Sequence, residues 1–202
     1  MKNILILTLS FLMIGCATKK EDTSDQSKEE TTITSPGEFN ELSIFQIPSL
    51  WATQNNDTIA FKDLKGDVLA VVMIYTSCKA ACPRLVADMR NIHEKVAKKR
   101  GVKYVLVSID PTFDTPERLK AFAIENEMNS DEWLFLQGNE DTVREFANIL
   151  AVRYKEISPM DFSHANIISV FDDEGVLQHQ QEGLGVDNDE TVKKIVELAA
   201  RI

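Results

Sequence analysis

The hydrophobic pattern from about residue 41 onward alternates between buried strands and helices with one apolar face. Residues 68–75 form an almost unbroken apolar run, which is typical of a strand covered on both faces. In residues 83–100 the apolar positions recur at helical spacing, and Gly101 supplies a stop. The same two patterns then predict strands at residues 102–109 and 133–136, and helices that open at residues 114–117 and span residues 141–150.

The order of these elements indicates the fold class. Strand and helix alternate three times, and a β-hairpin at residues 167–179 and a last helix at residues 188–200 follow. Buried parallel strands with helical crossovers indicate an α/β protein, and the closing hairpin and helix are typical of thioredoxin-like folds. We therefore predict a thioredoxin-like central sheet flanked by helices, with an added N-terminal β-hairpin from strands at residues 43–47 and 58–61.

The first sixteen residues have the pattern of an export signal. Lys2 precedes an apolar run at residues 4–14, which is too short to span a bilayer, and Gly15 precedes Cys16. The segment at residues 13–16 resembles the lipobox of bacterial lipoproteins, so residues 1–15 are predicted to be a lipoprotein signal peptide and Cys16 the lipidated N-terminus. The alternative is a plain secretory signal with an incidental cysteine.

Two regions are predicted after the cut. Residues 16–40 are polar and charged with almost no apolar content, so they cannot bury a core and should form a disordered, lipid-anchored linker. Residues 41–202 would be the folded domain. The predicted location is the bacterial cell envelope, with the domain on the extracytoplasmic (periplasmic) side of a membrane that the lipid anchors it to.

The net charge argues against one class of partner. The formal charge is -10, and no block of basic residues stands out from it, so the chain is a poor match for nucleic-acid phosphates. The acidity fits simple solubility, and a docking surface for a basic partner is the alternative.

The cysteine count isolates one pair. Of three cysteines, Cys16 is assigned to lipid, which leaves Cys78 and Cys82. They lie where a buried strand is followed by a helix, and a helix N-terminus favours thiolate over thiol. Residues at i and i+4 of a helix have Cα atoms about 6 Å apart, which permits a disulfide and equally a soft metal ion held by both sulfurs.

The spacing of the pair weakens two enzyme interpretations. Thioredoxin-type oxidoreductases have two residues between their cysteines, whereas three separate Cys78 from Cys82. Peroxiredoxins have Pro and Thr or Ser at fixed positions ahead of the reactive cysteine. In this chain the stretch before Cys78 is an apolar strand without Pro. An inert core pair and a purely structural disulfide are the remaining alternatives.

One histidine is a candidate third ligand. His93 lies among polar residues of the first long helix, and His179 lies at the end of a hairpin strand, so both are expected to be exposed. His164 directly precedes the apolar strand at residue 167. In a thioredoxin-like fold the loop before that strand faces the cysteine-bearing helix end, although a loop or capping role is the simpler alternative for His164 alone.

Three motifs in order resemble the SCO/SenC family, copper proteins needed to assemble cytochrome c oxidase. They are Tyr75-Thr76-Ser77-Cys78 to Cys82-Pro83, then Asp110-Pro111 to Asp114-Thr115-Pro116, then His164 eight residues before Asp172. The resemblance covers about residues 42–202. The chain departs from the family pattern at Lys79, where Pro is usual, and at Asn166, where an apolar residue is common.

The resemblance implies a binding protein rather than an enzyme. Cys78, Cys82 and His164 would hold Cu(I) or Cu(II), and Asp110 matches an acidic residue that helps to shape or release the metal, with a turn role as its alternative. The implied function is a metallochaperone that delivers copper to the two-copper centre of an oxidase subunit, with another copper chaperone as a further partner. The alternative function is a thiol–disulfide reductase that keeps the oxidase cysteines reduced, and a peroxide-reducing enzyme ranks last.

Overall fold

The centre of the fold is a strand in which all seven residues are buried, as its apolar run predicts. In the computed structural model, residues 39–79, 81–96, 99–159 and 161–202 are described. The predicted signal peptide at residues 1–15, the proposed lipid site Cys16 and residues 17–38 of the predicted linker lie outside these residues.

The described ranges contain nine strands in two sheets. In chain order they are β1 (Leu50–Thr53), β2 (Thr58–Ala60), β3 (Val68–Ile74), β4 (Val102–Ser108), β5 (Trp133–Gln137), β6 (Tyr154–Ser158), β7 (Asp161–His164), β8 (Ile167–Phe171) and β9 (Leu177–Glu182). The main sheet has seven strands in the order β2-β1-β5-β4-β3-β8-β9. Strands β3, β4 and β5 are parallel, and β8 and β1 flank them as antiparallel strands. The central crossovers and the closing hairpin are as predicted.

In the part of the chain that the structure describes, four α-helices pack around this sheet. They are α1 (Cys82–Val96), α2 (Pro116–Glu125), α3 (Glu140–Ile149) and α4 (Asp189–Ala199). Helix α4 contacts α1 and strands β3, β8 and β9, while α2 contacts β5. Helix α2 begins as its sequence predicts, because the Thr115 hydroxyl accepts the Arg118 amide at 3.4 Å and Pro116 occupies the first turn.

The added N-terminal hairpin is present, but one of its predicted strands is wrong. Residues 43–47 do not form a strand: Ile44–Gln46 is a 3-10 helix, because the Ser43 hydroxyl caps it by accepting the Phe45 amide at 3.1 Å. Its apolar side chains are buried in the core, which explains the strand-like pattern. The hairpin is instead made of β1 and β2, and a second 3-10 helix, Phe61–Leu64, follows it.

An aromatic cluster docks this N-terminal hairpin on the rest of the domain. The ring of Phe146 on α3 stacks on Phe61, with centroids 4.6 Å apart, and meets Trp51 of β1 edge-on at 5.3 Å. Offset and edge-on contacts of this kind add to the stabilisation that burial alone provides.

The second sheet is a feature that the hydrophobic pattern did not predict. Strands β6 and β7 pair antiparallel, with Tyr154 opposite His164, and among the described strands neither pairs with any other. Four of the five residues of β6 are exposed, so it lacks the alternation by which a half-buried strand is recognised. The hairpin places residue 164 at the end of a strand rather than in the predicted loop.

In the described parts of the chain, no helix combines the length and apolar character needed to cross a bilayer.

Candidate metal centre

The turn that follows β3 contains Cys78 and ends at Cys82, the first residue of α1, so the pair lies at the strand-to-helix junction that the sequence predicts. The Cys78 amide donates to the Tyr75 carbonyl at 3.3 Å, and the Cys82 amide donates to the Cys78 sulfur at 3.3 Å. The Cys78 sulfur thus accepts an amide of the first turn of α1, as an N-cap side chain does. Because this end of a helix carries partial positive charge, it stabilises negative charge on that sulfur.

His164 comes into contact with Cys82 from a distant part of the chain. The two residues are separated by 82 positions, yet His164 Nε2 lies 3.5 Å from Cys82 Sγ. The sheet explains this, since β8 runs antiparallel to β3 and its first residues lie beside the carboxyl end of β3. The residue pair that the sequence singled out is therefore brought together by strand order.

The tautomer of His164 leaves a lone pair toward the thiol. Nδ1 lies 3.1 Å from the Ala165 carbonyl, which can only accept a hydrogen bond, so Nδ1 carries the proton. Burial lowers the pKa of His164 from 6.5, and the bond to the carbonyl opposes this shift. At neutral pH the imidazole is therefore uncharged, and Nε2 accepts the Cys82 S–H. A neutral imidazole oriented by its other nitrogen is the form that binds metals.

Cys82 is a buried, neutral thiol. Burial is the main cause that raises its pKa above 9.0, while the hydrogen bond of its thiol with the Tyr75 backbone opposes the shift. The Cys78 side chain and the charge of Asp114 raise it further. A metal ion that binds to this sulfur must therefore displace a proton.

Tyr75 joins the cysteine turn to the hairpin that carries His164. Its hydroxyl donates to the Phe162 carbonyl at 3.0 Å and lies 3.2 Å from the Asp161 carboxylate. Its ring meets those of Phe162 and His164 edge-on, with centroids 5.2 and 5.8 Å away. The ends of β3 and β7 are thus held together directly beside the site.

Asp110 takes part in a turn. It is 7% exposed, and its carboxylate accepts the Phe113 amide at 3.3 Å. Burial raises its pKa, and the bond from Phe113 opposes the shift. Asp110 also lines a groove of about 1080 Å³ that reaches Phe162 next to the site. These contacts fit the turn role, and a role toward a metal stays a prediction.

The role of Asp114 is a feature that the sequence analysis missed. It is fully buried, and its carboxylate accepts the Thr76 amide, the Thr76 hydroxyl and the Ser108 hydroxyl. Burial raises its pKa, whereas the bonds from Thr76 and Ser108 lower it. The sequence analysis placed Asp114 in a family motif and at the start of a helix, and gave its side chain no role. The available signal was its position: Asp114 directly precedes the N-cap residue Thr115, so its carboxylate is not needed to cap α2 and is available for other contacts.

The side chains of the three proposed ligands are not arranged as a complete metal site. Within the described ranges, no three His, Cys, Asp or Glu side chains are already arranged around a common point as metal ligands. Cys82 and His164 are in contact, and Cys78 lies next to Cys82. Assignment of all three as ligands therefore stays a prediction.

The other two histidines differ from expectation. His93 is half-buried rather than solvated: its ring packs against Tyr104 and Trp133, and its buried Nε2 has no hydrogen-bond partner among the described residues. Its ring fills an aromatic cluster between α1 and the sheet, although its sequence neighbours are polar. His179 is partly buried and bonds Thr191 of α4 at 3.0 Å. Neither is part of the cysteine site.

A family model decides the relationship of this chain to known proteins. The model described as SCO1/SenC matches residues 45–200, which is most of the chain. This chain belongs to the SCO1/SenC family. The resemblance of its three motifs is thereby confirmed.

Relatives in sequence match part of this SCO1/SenC domain. The chain is 32% identical over 102 residues to the SCO1 protein homolog of Bacillus subtilis, and the match covers 50% of this chain and 53% of that protein. A SCO2-like protein of Rickettsia typhi is 28% identical over 109 residues, which cover 54% of this chain and 52% of the relative. The chain thus spans about half the length of the curated relatives it matches.

Solved structures show the same fold. A SCO1/SenC family lipoprotein from Bacillus anthracis has a TM-score of 0.70 at 21% identity, over 80% of this chain and 99% of that one. BsSco, named a member of the Sco family of cytochrome c oxidase assembly proteins, has a TM-score of 0.69 at 23% identity, over 80% and 97%. Arabidopsis thaliana ScoI, solved with copper bound, has a TM-score of 0.66 at 17% identity, over 76% and 97%. The predicted thioredoxin-like α/β fold is confirmed.

Proposed function

We propose that this protein binds one copper ion through Cys78, Cys82 and His164. The observation that carries the proposal is the contact between Cys82 Sγ and His164 Nε2 at 3.5 Å, with the imidazole lone pair directed at the sulfur. Two thiolates suit Cu(I), and a neutral imidazole adds a third donor. The same set with oxygen ligands added can hold Cu(II). Arabidopsis thaliana ScoI, a structural relative, carries copper.

The proposed role of the bound copper is to be delivered. Copper would pass from a second copper chaperone to this protein and on to the two-copper centre of a cytochrome c oxidase subunit. BsSco, a structural relative, belongs to a family of cytochrome c oxidase assembly proteins. Cys78 is half-buried whereas Cys82 is buried, so the ion would enter and leave past Cys78. This is the work of a binding protein rather than of an enzyme.

The proposed location follows from the N-terminal sequence. Residues 1–15 would be removed as a signal peptide, Cys16 would be lipidated, and residues 16–40 would link it to the domain at residues 41–202. The domain would lie on the extracytoplasmic side of the membrane of a bacterial envelope. The Bacillus anthracis structural relative is named a lipoprotein, which supports this arrangement.

Metal analysis of the purified, reduced protein tests the copper proposal. Titration with Cu(I) and, separately, with Cu(II) should reach one ion per chain. Replacement of both cysteines by Ser serves as the control and should abolish tight binding, because the soft donors are lost. A stoichiometry far from one, or equal binding by the double variant, would contradict the proposal.

A thiol–disulfide reductase is the second candidate. It is favoured by the closeness of the two thiols, since the Cys78 sulfur already contacts the first turn of the helix that begins with Cys82. Cys78 would attack a partner disulfide, and Cys82 would resolve the mixed disulfide. In this function His164 is not a ligand.

His164→Ala separates the two functions. If copper is the cargo, this variant should lose tight copper binding while dithiol exchange with a small disulfide continues at a similar rate. Copper affinity is measured by competition with a chromophoric chelator, and exchange by the thiol released. His93→Ala is a matched control away from the site. Unchanged copper affinity and spectrum in His164→Ala would exclude the three-ligand site.

A further inference from the structure

Asp114 stands apart from the other acidic residues that the structure describes, because it alone has no exposed surface. A buried carboxylate is costly unless hydrogen bonds replace its water. Its two oxygens therefore need hydrogen-bond donors from the protein. The residues that supply these donors are the ones that the carboxylate holds in place.

The donors come from two neighbouring segments. The Thr76 amide lies 3.1 Å from Oδ2, and the Thr76 hydroxyl donates to Oδ1. The Ser108 hydroxyl, at the end of β4, donates to Oδ2 at 2.7 Å. Asp114 thus joins the segment that follows β3 to the end of β4, and two of its three donors belong to Thr76.

In sequence, Thr76 lies between Tyr75, which contacts the strand that carries His164, and the two cysteines. Two residues later comes Cys78, whose sulfur accepts the Cys82 amide. One residue earlier comes Tyr75, whose hydroxyl bonds the strand that ends at His164. A shift of Thr76 would therefore change the distance from the cysteines to the histidine.

We infer that Asp114 is a positioning residue, whose carboxylate fixes Thr76 and thereby holds Cys78 and Cys82 in place relative to His164. The inference rests on the proposed function for its consequence in copper binding. Its geometric part concerns the dithiol alone and can be tested without metal.

The test compares Asp114→Asn and Thr76→Val with the parent protein. Asp114→Asn keeps the volume and removes the charge, while Thr76→Val removes only the hydroxyl bond. Both should weaken Cu(I) binding about tenfold, as the loss of groups that support metal ligands does. In the metal-free protein, the Cys78–Cys82 equilibrium in glutathione buffers should shift about tenfold toward the disulfide, because a released turn closes more easily; this equals about 30 mV.

Two further variants separate positioning from general stability. Thr76→Ser restores the hydroxyl and should return both values to those of the parent. Thr115→Ala removes the adjacent N-cap of α2 and should lower stability without changing either value. Parental copper affinity and parental potential in both Asp114→Asn and Thr76→Val would overturn the inference. If Asp114→Asn does not fold, Thr76→Val decides.

The two proposals fail in different ways. A parent protein that binds no copper would refute the proposed function, and the dithiol equilibrium would still decide the role of Asp114. A parent that binds one copper ion, together with variants that match it in both measurements, would refute the role of Asp114 alone.

Discussion

Burial shifts the protonation of Cys82 and His164 in opposite directions, and both shifts favour the neutral form. The pKa of the thiol rises and that of the imidazole falls, because each loses water around its charged state. The pair therefore meets as a neutral thiol and a neutral imidazole. The contact between Cys82 and His164 is therefore uncharged before an ion binds, and an ion that binds to the Cys82 sulfur takes the place of its proton.

The stability of the fold should fall in alkaline solution because of Cys82. Its pKa in the folded state lies above the ordinary 9.0, so its contribution is complete below pH 9 and is lost as the pH rises toward the folded value. Between pH 9 and the folded pKa, the free energy of unfolding should fall by up to about 1.4 kcal/mol per pH unit. Urea unfolding between pH 8 and pH 10 measures the slope.

Cys82→Ser provides the control for this slope. Serine has nearly the same shape and does not titrate in this range, so the variant should lose less stability between pH 8 and pH 10. Burial also raises the pKa of Tyr104, so a smaller loss of stability should remain in both proteins near pH 10. Equal slopes for the parent and the variant would show that Cys82 is not the group responsible.

At the scale of elements, the cysteine turn is held from three sides. Strand β3 leads into it, Tyr75 ties it to β7, and Asp114 ties it to the end of β4. Elsewhere the first 3-10 helix is held against the β8–β9 turn, where the Ser43 hydroxyl donates to the Glu174 carbonyl at 2.6 Å. Both junctions depend on backbone segments that approach each other closely.

Gly175→Ala should destabilise the second junction more than Gly66→Ala destabilises its own turn. Gly175 has φ +76°, and a Cβ there would lie 2.7 Å from Ser43 Oγ and 2.8 Å from the Phe45 ring. Gly66 has φ +98°, and among the described residues other than its chain neighbours no atom lies within 4 Å of the position of such a Cβ. We expect a loss of about 1 kcal/mol for Gly66→Ala from backbone strain, and about 2 kcal/mol more for Gly175→Ala from overpacking.

Urea unfolding of the two glycine variants at pH 7 measures this difference. The comparison is matched because both positions have positive φ and differ in the space around them. Equal losses would mean that the 3-10 helix moves away at little cost, and that the junction is not tightly packed.

At the scale of the whole molecule, the SCO1/SenC domain accounts for most of the chain. The family model matches residues 45–200, and the start of the domain at residue 41 stays a prediction. Phe39, the first residue that the structure describes, packs against Phe45 with ring centroids 6.1 Å apart. The polar stretch before it is proposed to link the domain to a lipid at Cys16.

Replacement of Cys16 by Ala should release the protein from membranes. Each buried CH₂ of an acyl chain contributes about 0.8 kcal/mol, so several chains hold a protein firmly and their loss removes the anchor. After expression in a bacterium, the parent should be found in the membrane fraction and Cys16→Ala in the soluble fraction. Cys78→Ser is the matched cysteine control and should stay with the membrane. Retention of Cys16→Ala would contradict lipidation at Cys16.

The hydrophobic pattern of the chain by itself determined most of the elements and their order. Periodicity is a local property, so the apolar run of β3 and the cysteine pair that follows it could be read directly. The pattern gave a wrong prediction at residues 43–47, where the buried apolar side chains belong to a 3-10 helix. It was also wrong at His93, which packs in an aromatic cluster although its sequence neighbours are polar. It was silent on β6 and β7, whose exposed residues carry no alternation.

Only the tertiary structure decided how distant residues meet. The sequence made His164 a candidate, but the contact with Cys82 depends on β8 lying antiparallel beside β3, which no local pattern states. The clamp of Asp114 on Thr76 is likewise invisible along the chain, because 38 positions separate the two residues. Local sequence thus determines which chemistry is present, and strand order decides which groups act together.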